Sequence, residues 1–288
     1  EHLRKKENIY VPQIKELHFL SLFDFRCRGP WERSIHHSGI NFEELAKKPD
    51  STIHTRIVSS FSDYIELFEG AEQKQFRIDI SPSYHFYSER VSNNIEKNFK
   101  NALVYFTPRD PILRMLSNYS CLFPRCPKTL FSAINDEDSV LKKSWEFFWA
   151  LKGQSQYAAT VSNFKNKDLN FYIIPYEKIF TEDPFHEIGF FDFRKNDQYV
   201  NRSSVASCIE LLDDADLIIS FEHEKTKKML ANLNITSKIS DPFPISQIYS
   251  CGSKKLIGRL AGLFYEDVML VAKEVQCIDK LWGIFNHF

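Results

Sequence analysis

"FTPRDPILRMLSNYS", residues 106–120, holds the junction on which the fold turns. The run leading into it, Ala102-Leu103-Val104-Tyr105-Phe106, is apolar throughout and has the character of a buried strand. It stops at Thr107-Pro108-Arg109-Asp110-Pro111, and a helical pattern follows. Asp110 suits the N-cap, and Pro111 suits the first helical position, where an N–H is not needed and a fixed φ is already helical. A strand that ends on an arginine just where a helix begins suits an anion. Ligands in open parallel sheets sit beyond the carboxyl ends of strands, and a helix start offers free N–H groups and a positive dipole. Arg109 adds a planar fork matched to phosphate, and Ser117, on the second turn, adds a hydroxyl on the same helix face. The same residues also fit a plainer arrangement, an arginine paired with a nearby carboxylate and an ordinary helical serine.

Outward from this junction, strands and helices alternate. Upstream, "SNNIEKNFK" reads as a short helix, and "FRIDISPSYHFYS" alternates like a strand until Pro82 interrupts it. "SFSDYIELFEG" has helical spacing at Tyr64, Leu67 and Phe68, with Gly70 as a stop. Residues 24–56 are polar and irregular, "NIYVP" and "IKELHFL" are short extended segments, and "EHLRKK" reads as the end of a helix. Downstream, residues 138–151 and 153–164 form a helical pair, and "LNFYIIPYEKIF" is a second buried strand with a helix around 184–190 after it. "SSVASCIELLDDADLIISFEHEKTKKML" reads as two helices. Residues 255–275 make a helix that lines up Leu256, Leu260, Leu263, Phe264, Val268 and Val271. The pattern predicts an α/β fold: a single domain over residues 1–288, with a central parallel sheet flanked by helices on both sides.

Composition narrows the function classes. With 37 Lys and Arg against 38 Asp and Glu, the net charge is −1, which argues against a nucleic-acid coat of the ordinary basic kind and leaves room only for a local basic groove. No run of eighteen apolar residues and no signal-peptide pattern occurs, so no membrane contact is expected of this segment. The chain opens on Glu1 rather than Met, which leaves room for residues upstream. Six cysteines (Cys27, Cys121, Cys126, Cys208, Cys251, Cys277) include no CxxC, which argues against a zinc ribbon and fits either buried thiols or up to three disulfides. Sequons at Asn118, Asn201 and Asn234 are about as many as chance supplies and do not settle the compartment. The 26 Phe and 12 Tyr either line an apolar pocket or simply fill the core.

Six segments, in order, resemble the sulfotransferases that use 3′-phosphoadenosine 5′-phosphosulfate, most closely the Golgi carbohydrate and heparan-type members and their bacterial relatives. "PQIKELHFL" is similar to that family's Lys-Glu-x-His-Phe-Phe segment, and "IDISPSYHFYS" to its Ser-Pro-x-Tyr segment. "VYFTPRDPILRMLSNYS" resembles its Leu-Arg-Asp-Pro-x-x-Arg-x-x-Ser-x-Tyr signature. "GQSQYAATVSNF" looks like its Gly-x-Tyr-x-x-x-Leu helix, "FYIIPYEKIFTEDP" like the strand that follows, and "LAGLFYEDVMLVAKEV" like its terminal helix. The resemblance implies a P-loop NTPase-like sulfotransferase fold in which Arg109 and Ser117 hold the 3′-phosphate of the donor nucleotide, with no metal.

It also implies a base. Sulfuryl transfer needs an acceptor made more nucleophilic by a group that takes its proton. Glu16 is the candidate, as the glutamate of the matching Lys-Glu segment, and His18 is the alternative; both also fit ordinary surface and packing roles. A base of this kind is expected to be partly buried, which raises a carboxylate's pKa. Ser253, Lys254 and Lys255 fit either a basic loop over the nucleotide or a solvated first helical turn, and Tyr157 either lines the nucleotide site or packs its helix.

The chain departs from the family at three places. Nothing matches the first strand and the Pro-Lys-x-Gly-Thr-Thr loop that hold the 5′-phosphosulfate, so that part of the domain is expected upstream of Glu1. Ile80 stands where heparan-type members often carry lysine. The stretch 201–250 is long for the family and is expected to add a helical element near the acceptor site.

The expected function is therefore transfer of a sulfuryl group to a hydroxyl, or an amine, of a glycan or small molecule. The alternative is a nucleotide-binding pseudoenzyme of the same fold. A nucleoside or nucleotide kinase would need a GxxxxGK[ST] loop, which does not occur. The compartment follows the acceptor: Golgi lumen for a glycan, cytosol for a small metabolite.

Overall fold

The computed structural model describes residues 8–22, 53–55, 58, 60–71, 73–74, 76–122, 128–137, 150–181, 208–211, 216–220, 243–276 and 278–288. The chain divides into two compact units. One is Glu1–Ala102 with Asn166–Asp168, and the other is Leu103–Lys165 with Leu169–Phe288. The sequence segments "EHLRKK", 24–52, 138–149 and 184–190 lie outside the described residues.

In the first unit, strands pair in parallel twos. β1 (Ile9–Tyr10) lies beside β4 (Phe76–Arg77), and β2 (Ile14–Glu16) beside β3 (Ile53–Thr55), with Glu16 opposite Thr55. The extended reading of "IKELHFL" holds only to Glu16, because Phe19–Leu22 turns helical (α1). The alternation in "FRIDISPSYHFYS" yields only the two residues of β4; Pro82 then starts α3 (Ser83–Phe86), which leads to α4 (Ser88–Asn98). Between β3 and β4 lies α2 (Phe61–Glu66), whose N-cap Ser60 accepts the Asp63 N–H at 3.0 Å. The core joins Ile9, Ile14, Leu17 and Phe19 to Tyr64, Phe68, Val91 and Ile95. Phe19 stacks on Tyr64 with centroids 4.2 Å apart, and Phe68 tilts against Tyr64 at 5.3 Å. These rings are thus core, each aromatic pair contributing on the order of 1 kcal/mol beyond its burial.

The second unit begins with β5 (Leu103–Phe106), paired in parallel with β6 (Asn170–Ile173). Neither strand is buried as its apolar run suggested: Leu103 and Tyr172 are exposed. Tyr105 instead stacks on Tyr172 across the pair at 5.2 Å. β5 runs into α5 (Pro111–Leu122), whose Ile112, Met115, Leu116 and Tyr119 enter the core at helical spacing. α6 (Leu130–Asn135) and α7 (Ala158–Lys165) add Leu130 and Val161, and α8 (Lys178–Thr181) follows β6.

The two helices expected around residues 204–230 are replaced, where described, by an antiparallel pair, β7 (Cys208–Leu211) and β8 (Leu217–Ser220), with β9 (Phe243–Pro244) on the other side of β7. "CIEL" and "LIIS" are short apolar runs on either side of an acidic stretch of sequence, a pattern that helix and strand share until pairing decides. The described strands therefore make small parallel pairs and one antiparallel sheet, not one continuous parallel sheet.

After α9 (Ile248–Cys251), the final helix is two. α10 (Lys254–Gly262) and α11 (Tyr265–Ala272) meet at Leu263-Phe264, yet Leu256, Leu260, Phe264, Val268 and Val271 are all buried. α12 (Ile278–Leu281) then delivers Trp282 to the same core. Cys121 and Cys251 are exposed free thiols, which removes both the all-buried and the three-disulfide readings. No helix among the described residues is long and apolar enough to cross a membrane.

Candidate functional site

The junction after β5 is built around Asp110, which is 1% exposed. Its Oδ1 accepts the N–H groups of Ile112 (3.0 Å) and Leu113 (3.1 Å), as an N-cap should. Tyr249 donates its hydroxyl to both carboxylate oxygens at 2.8 Å, and the Ile284 N–H reaches Oδ2 at 3.4 Å. Burial pushes the Asp110 carboxyl above the usual aspartate range; these donors oppose the rise, and the Glu177 charge adds to it. The N–H groups expected to be free for an anion are thus partly spent on Asp110 itself, leaving the dipole and Arg109.

Glu177 ties the junction to β6. One of its oxygens accepts the Asp110 N–H at 3.1 Å and the other the Trp282 indole N–H at 3.0 Å. Two backbone bonds past the ladder, Ile174 N–H to Phe106 O (2.9 Å) and Tyr176 N–H to Pro108 O (2.8 Å), hold Tyr176 beside Arg109. The Arg109 guanidinium lies over the Tyr176 ring, 5.3 Å from its centroid. Arg109 is half-buried, and no carboxylate among the described residues forms an ion pair with it. Ser117 is half-buried one face along α5, and its hydroxyl makes no hydrogen bond among the described residues; its carbonyl accepts from Ser120.

Tyr157 is 1% exposed and packs edge-on to Phe106 at 5.6 Å and against Trp282 at 5.8 Å. Its phenol, raised by burial, faces the backbone of Arg109, so it stands behind the arginine, inside the core. Ser253 is the N-cap of α10, accepting the Leu256 N–H at 3.0 Å, and Lys254 and Lys255 sit exposed on the first turn.

Three contacts had no place in the sequence reading. Arg114 clamps Gln154 through Nε to its carbonyl (2.9 Å) and Nη2 to its Oε1 (2.7 Å). Asp267 accepts the N–H groups of Tyr157 (2.7 Å) and Ala158 (2.8 Å), capping α7 from α11. Glu177 is the third. Each belongs to a segment quoted above, but nothing local marks its partner.

In the first unit, Glu16 and His18 come together: Glu16 Oε2 lies 3.6 Å from His18 Nε2, with side chains 13% and 3% exposed. Glu16 ends β2, and the chain turns at His18, whose φ is 53°. The His18 N–H donates to Ser81 Oγ at 3.0 Å, and His18 Nδ1 lies 2.6 Å from Ser83 Oγ. Ser21 Oγ is 2.6 Å from the same Ser83 oxygen and donates to the His18 carbonyl at 2.9 Å. Behind them Asp79 receives Ser81 (3.0 Å), Tyr64 (3.2 Å) and Tyr84. Burial raises the Asp79 carboxyl above its ordinary value, with those hydroxyls and the His18 charge opposing. Ile80 is 42% exposed. The "KELHF" and "DISPSY" segments thus form one polar cluster, in which Ser21, Asp79, Ser81 and Ser83 were not foreseen.

Comparison with solved structures now bears on these two clusters. A crystal structure of a sulfotransferase from Alicyclobacillus acidocaldarius matches with a TM-score of 0.57, over 95% of this chain and 87% of that one, at 19% identity. The chain has a sulfotransferase-like fold. No protein-family model and no curated protein sequence matches it. At this identity the likeness speaks for the fold, and the roles of Arg109, Ser117, Glu16 and His18 rest on their own surroundings.

Proposed function

We propose that the chain is a sulfotransferase that takes its sulfuryl group from 3′-phosphoadenosine 5′-phosphosulfate. One observation carries the reading: Arg109, between the end of β5 and the start of α5, lies over the Tyr176 ring and is paired with no described carboxylate. A guanidinium lying over an aromatic ring beside a helix dipole fits a phosphate group, and the Ser117 hydroxyl on the same helix fits a further oxygen. The sulfotransferase-like fold supports the same assignment. The donor supplies an activated sulfuryl group with a phosphate as leaving group. Arg109 and Ser117 hold its 3′-phosphate, Tyr157 backs the Arg109 main chain, Lys254 and Lys255 contribute positive charge toward the nucleotide, and Ser253 caps the helix turn that carries them.

Glu16 removes the proton of the acceptor hydroxyl, its carboxylate half-buried and beside His18. His18 is the alternative base. The acceptor is a glycan or small-molecule hydroxyl, with an amine as the less favoured case. A net charge of −1 weighs against a long polyanionic chain.

The test is transfer of radiolabelled sulfuryl from the donor to panels of glycans and small alcohols, using the full-length protein. Glu16→Gln is expected to lower kcat by on the order of a hundredfold or more, and full activity in that variant would remove Glu16 from the chemistry. Arg109→Ala is expected to weaken 3′-phosphoadenosine 5′-phosphate binding by about 1.5–3 kcal/mol, the worth of a charged hydrogen bond. Binding without any transfer, across all acceptors, would identify a pseudoenzyme instead.

A further inference from the structure

The hydroxyls around His18 leave little freedom over where its ring proton sits. The His18 carbonyl can only accept, so the single proton of Ser21 Oγ goes to it, at 2.9 Å. Ser21 Oγ is then the acceptor in its 2.6 Å contact with Ser83, which commits the single Ser83 proton. Ser83 Oγ is in turn the acceptor in its 2.6 Å contact with Nδ1, so Nδ1 carries the hydrogen. The chain runs Nδ1–H, Ser83, Ser21, carbonyl, and closes on the residue where it began. Ser21 and Ser83 are fully buried, so water does not offer the pair another arrangement. The other side of His18 is fixed as well: its N–H is taken by Ser81, whose own proton goes to Asp79.

We propose that Ser83 and Ser21 are positioning residues that hold neutral His18 in the Nδ1–H tautomer, so that the lone pair of Nε2 is on the side of Glu16, 3.6 Å from Oε2. The role rests on the sulfotransferase reading. As the acceptor O–H bond breaks, its proton passes to Glu16 while the new O–S bond forms. The S–O bond to the donor phosphate breaks, and its electron pair leaves on that phosphate oxygen. The Glu16 O–H bond then breaks as Nε2–H forms, giving an imidazolium already hydrogen-bonded at Nδ1 and paired with the restored carboxylate. Return of that proton through the more exposed Glu16 carboxylate to water resets the pair.

The experiment has two arms. Long-range proton–nitrogen NMR of the labelled full chain, at a pH where imidazoles are neutral, reads the His18 tautomer, with His18→Gln identifying its signals. The expected result is a protonated Nδ1 and an unprotonated Nε2 in the wild type. Ser83→Ala should shift His18 toward the Nε2–H form that free imidazole side chains favour, and Ser83→Thr should restore it. An Nε2–H tautomer in the wild type, or no change in Ser83→Ala, would overturn the proposal. In the transfer assay, Ser83→Ala is expected to lower kcat about tenfold to a hundredfold with the donor KM unchanged, and an unchanged kcat would also sink it. A wild type that shows the expected tautomer yet transfers no sulfuryl group would instead defeat the enzymatic reading and leave the tautomer assignment standing.

Discussion

A φ of 53° puts His18 in the left-handed region, where a residue other than glycine is strained by about 1 kcal/mol. Such strain persists only where the surroundings over-determine the conformation, and here they do. The N–H is tied to Ser81, the carbonyl to Ser21 and the ring to Ser83. The bend lets the ring come back toward Glu16, two residues earlier. Ser81→Ala removes the acceptor of the His18 N–H and leaves a buried donor without a partner. It is expected to destabilise the protein by about 1–3 kcal/mol in denaturant unfolding, and a change below a few tenths would show that the turn holds itself. Glu16 and His18 were visible in "KELHF" as two ionisable side chains two positions apart, which the structure brings to within 3.6 Å of one another. Their serine partners were not, because Ser83 is 65 positions away from His18.

Helix starts here are capped in two ways, by a neighbouring side chain or by one from another element. The cap of α5 is local, Asp110 to Ile112 and Leu113, and the Asp-Pro pair announced it. The cap of α7 is not local: Asp267 reaches the Tyr157 and Ala158 N–H groups from α11, with 110 positions between Asp267 and Tyr157. α7 has only eight residues, too few to be stable alone in water. Asp267→Ala is therefore expected to cost about 2 kcal/mol, and Asp267→Asn, which retains one acceptor oxygen, about half of that. Equal losses in thermal or denaturant unfolding would mean that the charge, not the acceptor geometry, holds the helix. The strand pair β7–β8 marks where local reading failed: its apolar runs suit either period, and antiparallel pairing of one run with the other chose the strand.

For the molecule as a whole, both units hold aspartates above their ordinary range: Asp79 in one, Asp110 and Asp267 in the other, with desolvation the leading cause each time. An acid raised on folding keeps its proton longer in the native state than in the unfolded one. Its contribution is fully present below the unfolded pKa of about 3.9 and is lost as pH rises through the folded value. Asp79 is the clearest test, since its partners are hydroxyls able to accept from a neutral carboxyl as well as donate to an ionised one. Measured from about pH 4 upward, the wild type is expected to lose stability relative to Asp79→Asn as pH rises. A wild type that gains on the variant over that range would reverse the sign and show the hydroxyl donors outweighing burial.

The amino-acid sequence alone determined the β5–turn–α5 junction and the placing of Arg109 and Ser117 on it. Those features depend on dihedral preferences, caps and apolar periods within a few residues, which a chain carries wherever it is. Tertiary structure decided the rest: that Tyr249 and Ile284 close on Asp110 from 139 and 174 positions away, that Glu177 joins β6 to Trp282, and that two serines take charge of His18. A hydrogen bond between distant residues forms only after packing has met the entropy of bringing them together, and no local pattern encodes that closure.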